Sequence, residues 1–217
     1  MIPAKKVMEI EWRDDPANPE NMTTRQLVEL LRAGNHWGRS EAATLLLKCG
    51  ATSKWKELCR ALKDPWWAVR CTAAEALGHF KVRAAIPHLR RALRTRNTIV
   101  KGWVATALAD LGDIRSKLAF EQMWRSKSPR LQLSGAVSLY VMGDRPRLAD
   151  VAEFLVNWDY RLKCAATNEL VWMVIAEDVP EACRHFRSAI RTEKTPAYRS
   201  MFGKAIRFLT RWARTQK

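Results

Sequence analysis

Residues 64–80 read DPWWAVRCTAAEALGHF. Asp64 is a good helix-capping residue and Pro65 suits the first helical position. Val69, Ala73, Ala74, Ala76 and Leu77 then recur at helical spacing up to Gly78. The stretch is not unique in the chain. Steps of 31 residues from Arg70 land on Arg39, Lys101, Gln132 and Lys163. Four residues beyond these marks lie Ala43, Ala74, Ala105, Ala136 and Thr167, and seven beyond lie Leu46, Leu77, Leu108, Leu139 and Leu170. Ten beyond lie Cys49, Phe80, Leu111, Met142 and Met173. Offsets of four, seven and ten trace one face of an α-helix; strand alternation does not produce them.

The same period carries a second helix in each unit. Leu27, Leu58, Leu89, Phe120 and Val151 form one column, and Leu31, Leu62, Leu93, Trp124 and Leu155 form another four residues away. Each unit is therefore a pair of amphipathic helices. Gly50, Gly112 and Gly143 hold equivalent places after the second helix, where a left-handed cap favours glycine. A sixth, irregular unit keeps Val179 and Phe186 in its first helix. Its second helix carries Arg199, Gly203, Ile206 and Leu209, displaced by a five-residue insertion. The expected organisation is an arm or loop over 1–22 and one repeat domain over 23–217, an all-α solenoid (a superhelix) of about six two-helix repeats.

The segments DPWWAVRCTAAEALG at 64–78, IVKGWVATALADLGD at 99–113 and AIPHLRRAL at 85–93 resemble the HEAT-like repeat family, in the short bacterial form also found in phycobilisome lyases. The resemblance implies that an aspartate opens the second helix and that an arginine six residues later packs along the stack. Asp64 and Arg70 fit; Thr95/Lys101, Ser126/Gln132 and Asn157/Lys163 depart from it, which argues against a continuous Asp–Arg ladder. It further implies that the second helices line a concave surface for partners. No cofactor is expected.

Charge is the strongest compositional feature. The 38 Lys+Arg against 22 Asp+Glu give +16, concentrated as +9 in residues 81–130 and +9 in residues 183–217. That favours an anionic partner. The longest apolar run, LVWMVIA at 170–176, is too short to span a membrane, and the N-terminus has no secretory pattern, so a cytoplasmic location is expected. Five cysteines, with no CxxC pair and no zinc-finger spacing to the four histidines, read as reduced and mostly buried, with no metal site. Phosphate loops, HExxH and nucleophile elbows are absent, so no catalytic residue is assigned.

Once the columns are removed, the second helices keep an outward lane at offsets −2, +2, +5 and +9 from each mark. The partner-binding candidates are Trp103, Asp110, Val137, Val141 and Trp172 in that lane, and Trp67 at a helix mouth, where one of Trp66 and Trp67 is expected to staple adjacent repeats. Arg90, Arg91 and Arg94, with Arg207, Arg211 and Arg214 at i, i+4 and i+7, are candidates for an acidic partner or for phosphates. The expected function is non-catalytic recognition of a macromolecule, an acidic protein first and nucleic acid second. The enzymatic extreme of the second is a DNA glycosylase for alkylated bases, since some of these have HEAT-like folds. Trp103, Asp110 and Glu75 would then hold the damaged base, but the paired tryptophans followed by aspartate associated with those enzymes are replaced here by WWAV. A bilin-lyase role rests on the family resemblance alone.

Overall fold

The computed structural model describes residues 21–216. The expected arm over 1–22 therefore lies outside the described residues, apart from Asn21 and Met22. Twelve α-helices follow: α1 Thr24–Ala33, α2 His36–Lys48, α3 Trp55–Ala61, α4 Trp67–His79, α5 Ile86–Ala92, α6 Thr98–Asp110, α7 Lys117–Trp124, α8 Pro129–Val141, α9 Arg147–Glu153, α10 Tyr160–Met173, α11 Val179–Thr192 and α12 Pro196–Thr215. No strand occurs among the described residues. The chain divides into two compact units, up to Leu111 and from Gly112 onward, with three helix pairs in each among the described residues. No helix among the described residues is long and apolar enough to cross a membrane.

Most of the column positions become the core, while at offset +10 Cys49 is exposed and Phe80, Met142 and Met173 are half-buried. In the first unit Leu27, Leu58, Leu89, Leu46, Leu77, Leu108, Ala43, Ala74 and Ala105 are buried, and α2, α4 and α6 pack in succession. A Cβ on Gly78 of α4 would stand 2.9 Å from the Ala107 Cα of α6, so these two helices approach backbone to backbone. In the second unit Phe120, Ala136, Leu139, Val151, Leu155, Thr167 and Leu170 are buried. Gly50, Gly112 and Gly143 take φ of 66°, 67° and 98°, the left-handed region expected of them. Lys81 stands at the same register with φ 53°, and its ammonium donates to the Asp110 carbonyl at 3.0 Å.

Two local expectations are corrected. The opening helix starts at Trp67, not at Pro65, and Trp66 occupies its cap position. Asp64 instead accepts the Trp66 amide at 2.8 Å, an Asx turn that aims the chain into the helix. In α12 the buried residues are Phe202, Ala205 and Leu209, while Gly203 and Ile206 are half-buried. Phe202 packs its ring against Phe186 (centroids 5.9 Å apart), and burying that ring removes more apolar surface than burying the neighbouring glycine.

The Asp64 turn is repeated at the equivalent place in each later helix pair, whatever the residue. Thr95 accepts from the Asn97 amide (3.2 Å), Ser126 from Ser128 (3.1 Å), Asn157 from Asp159 (2.9 Å) and Glu193 from Thr195 (2.9 Å). Only the carboxylates do a second job. Arg39 holds Asp64 through two hydrogen bonds of 2.7 and 3.0 Å, and Lys163 pairs with Glu193. Arg70, which the resemblance pairs with Asp64, donates to the carbonyls of Asp64 (2.6 Å) and Pro65 (2.9 Å) instead. The ionic rungs thus link one repeat's arginine or lysine to the next repeat's turn, and they occur where that turn carries an acid.

Burial alone would raise the Asp64 carboxyl, but the hydrogen bonds from Arg39 and the Trp66 amide and the charges of Arg39 and Arg70 outweigh it, holding it below the usual range. The Lys163 hydrogen bond, then the Thr195 amide, does the same for Glu193. Carboxylates with lowered folded-state pKa contribute stability that is fully present above their unfolded values of about 4 and is lost as pH falls through the folded ones. The stability difference between wild type and Asp64→Asn/Glu193→Gln, measured by urea unfolding, is therefore expected to be largest near neutrality and to shrink steadily below about pH 4.

Candidate interaction surface

The register sorts each second helix into buried and outward positions. Nine residues beyond the mark, the first unit carries Lys48, His79 and Asp110, a polar lane. In the second unit the same place holds Val141, Trp172 and, once the insertion is counted, Phe208. Trp172 is 80% exposed and Phe208 48%, with ring centroids 6.3 Å apart, and Val141 is half-buried. Large apolar side chains left in water on adjacent turns of successive helices mark a surface with a use beyond folding.

Basic side chains adjoin this lane. On α12, Lys204 and Arg211 stand at i−4 and i+3 from Phe208, sharing its face, and Arg207 lies beside them; all three are exposed, as is Arg214 in the last turn. The last turn thus puts a cation where the helix dipole is negative.

Val137 leaves the candidate set. It is 1% exposed and lies in the core cluster with Tyr140, Leu162 and Ala166. Offset +5 drifts inward on α8, where Val137 packs as core, whereas Asn168 at the same offset on α10 is exposed. Neighbouring Tyr140 is buried too; its hydroxyl donates to Asp178, and burial, followed by that carboxylate, pushes its pKa up to about 12.

In the first unit Trp67 and Trp103 are each 39% exposed. Trp66 is the staple: its ring lies 4.7 Å from His36 and 6.4 Å from Trp37 of the preceding helix pair. Asp110 lies 3.4 Å from the Lys81 ammonium, so this carboxylate serves as a helix-end ion-pair partner. Glu75 is exposed to water, yet crowding by neighbouring atoms strips enough hydration to raise its carboxyl, partly offset by His79. Arg91 and Arg94 are exposed and line a cavity with Arg70, and Arg90 is half-buried. Among the described residues, no three His, Cys, Asp or Glu side chains cluster as a metal site needs. Cys59, Cys71 and Cys183 are buried, whereas Cys49 is exposed.

Sequence reasoning missed Phe208, Trp37 (70% exposed) and Trp158 (94% exposed). Two of them had a signal: Trp37 lies at offset −2 of the first mark, and Phe208 at +9 of the last. Trp158 sits in the turn before α10, off every lane.

The family model described as HEAT repeats matches residues 24–109 and 55–141, together more than half of the chain. The chain belongs to the HEAT-repeat family. Among solved structures, the complex of CpcE and CpcF of phycocyanin lyase from Nostoc sp. PCC7120 includes a chain similar to this HEAT-repeat protein. The TM-score is 0.63 at 17% identity, covering 86% of this chain and 82% of that one. A HEAT-like repeats protein from Thermococcus onnurineus NA1 matches with TM-score 0.42 at 14% identity, covering 95% and 92%. The likeness to the phycocyanin lyase chain, at this identity, establishes the fold alone, an α-solenoid. No curated protein matches significantly.

The division into core and lane has a direct consequence for stability. Val137→Ala is expected to cost about 1–3 kcal/mol. Trp172→Ala and Phe208→Ala are each expected to change stability by less than about 0.5 kcal/mol. Thermal and urea unfolding of the three variants checks this.

Proposed function

We propose that this HEAT-repeat protein is a non-catalytic interaction module, and that Trp172, Phe208 and Val141 form its anchor for an acidic protein partner. The observation that carries this reading is the change of character along one register position, from Lys48, His79 and Asp110 to Val141, Trp172 and Phe208, with the two rings exposed and neighbouring. Exposed aromatic anchors with arginine close by are the usual composition of a protein-binding hot spot. The charge selects the partner's chemistry. Residues 183–217 carry +9, and Lys204, Arg207 and Arg211 flank Phe208. A segment that presents apolar side chains among aspartate and glutamate satisfies both features at once, the apolar anchors slowing release and the charges speeding encounter. That the similar phycocyanin lyase chain occurs in a complex of CpcE and CpcF is in keeping with a protein partner.

The test is affinity capture from the protein's own cell extract at about 0.15 M salt, comparing wild type, Trp172→Ala/Phe208→Ala and Arg207→Glu/Arg211→Glu. A small set of acidic proteins is expected with wild type. Each double variant should reduce its recovery about tenfold or more, with circular dichroism unchanged. Equal recovery by all three forms, or a wild-type set that is not acidic, overturns the reading.

A further inference from the structure

Two surface cavities of similar size open in the first unit, one repeat apart. The first, about 420 Å³, is lined among others by Leu31, Arg32, Arg39, Glu57, Arg60 and Asp64. The second, about 440 Å³, has Leu62, Lys63, Arg70, His88, Arg91 and Thr95 at those six places, each 31 residues on. The molecule thus contains its own comparison: one architecture lined by two sets of side chains.

In the first cavity the cations are satisfied internally. Arg32 holds Glu57 through hydrogen bonds of 3.0 and 2.6 Å, Arg60 reaches the same carboxylate at 2.5 Å, and Arg39 holds Asp64. In the second, both acids are gone: His88 stands for Glu57 and Thr95 for Asp64. The cations all remain, as Lys63, Arg70 and Arg91, and Arg94 joins them. Asp64 also borders this cavity, but its carboxylate is already held by Arg39. Cys59 at the wall adds no negative charge, because burial pushes its thiol up to about 11. Thr95 contributes a neutral hydroxyl that accepts the Asn97 amide.

Arg70 is built in rather than free to swing. One of its terminal nitrogens donates to the carbonyls of Asp64 and Pro65, which leaves the rest of the guanidinium fork for a ligand. A guanidinium anchored in this way suits bidentate recognition of tetrahedral oxyanions. The volume is that of a small-molecule site. Four cations, one of them anchored, and no free carboxylate make a singly charged guest a poor match. We infer that this cavity binds a compact anion bearing two or more phosphate-type charges, held by Arg70, Arg91, Arg94 and Lys63. It is a separate site from the aromatic lane and does not depend on the reading of that lane.

The test uses the full chain and inorganic pyrophosphate, titrated by calorimetry at about 0.15 M salt, with a mixed-sequence DNA duplex in a parallel arm. Saturable one-to-one pyrophosphate binding is expected, weakened about tenfold or more by Arg91→Ala/Arg94→Ala. His88→Glu/Thr95→Asp, which restores the acids of the first cavity, is expected to abolish binding while leaving the melting temperature unchanged or higher. Absence of saturable pyrophosphate binding, or equal binding by wild type and both variants, overturns the inference. Tighter binding of the duplex than of pyrophosphate, lost in the same variants, also overturns it, in favour of a nucleic-acid backbone.

Discussion

A pair of short amphipathic helices cannot bury its apolar face alone, and that constraint governs the rest of this protein. Leu46 and Leu77 in one unit, and Leu139 and Leu170 in the other, reach full burial because the next helix pair of the same unit covers them. Stacking fixes the period at 31 residues, and the period fixes which positions are spoken for. The columns must be apolar or small, and the close approach at Gly78 leaves no room for a Cβ. After the first pair, the residue six before each mark must offer an oxygen to the helix start, a requirement that Asp64, Thr95, Ser126, Asn157 and Glu193 all meet. Outside those positions the repeats are at liberty to differ.

Function is legible in those differences. Position +9 is polar in one unit and apolar in the other; the same cavity is neutralised in one repeat and left cationic in the next. Neither contrast improves folding. A tryptophan in water forfeits hydrophobic stabilisation, and a cavity lined by like charges is less favourable than one with Arg32, Glu57 and Arg60 bonded together. Departures from the repeat that work against stability, in places the stack does not need, are where binding is to be sought.

The repeat, the helix pairs and most of the core could be read from the sequence, because the leucine and alanine columns carry a period that nothing else in the chain mimics. Three features could not. The start of α4 at Trp67 depends on Asp64 forming an Asx turn, a choice that an Asp-Pro pair leaves open between cap and turn. The Arg39–Asp64 rung joins residues 25 apart across two repeats, so it exists only once the stack is built. Val137 was misplaced because a fixed offset treats every helix face alike, whereas offset +5 is buried on α8 and exposed on α10; in α12 the ring of Phe202 takes the buried place expected of Gly203. The cationic cavity was half visible, as the Arg90–Arg94 cluster. Its other half, Arg70 with Lys63, comes from the preceding repeat.

The most direct measurement of the central claim places one photo-crosslinking amino acid at the same register position in each unit, at His79 and at Trp172, and irradiates living cells. The repeat makes the two sites local equivalents, so only their surroundings distinguish them. The expected result is a discrete adduct to an acidic protein from position 172 and none from position 79. Equal adducts from both sites, or none from position 172 when the protein is present at its natural level, would contradict the assignment of the apolar lane as the partner-binding surface.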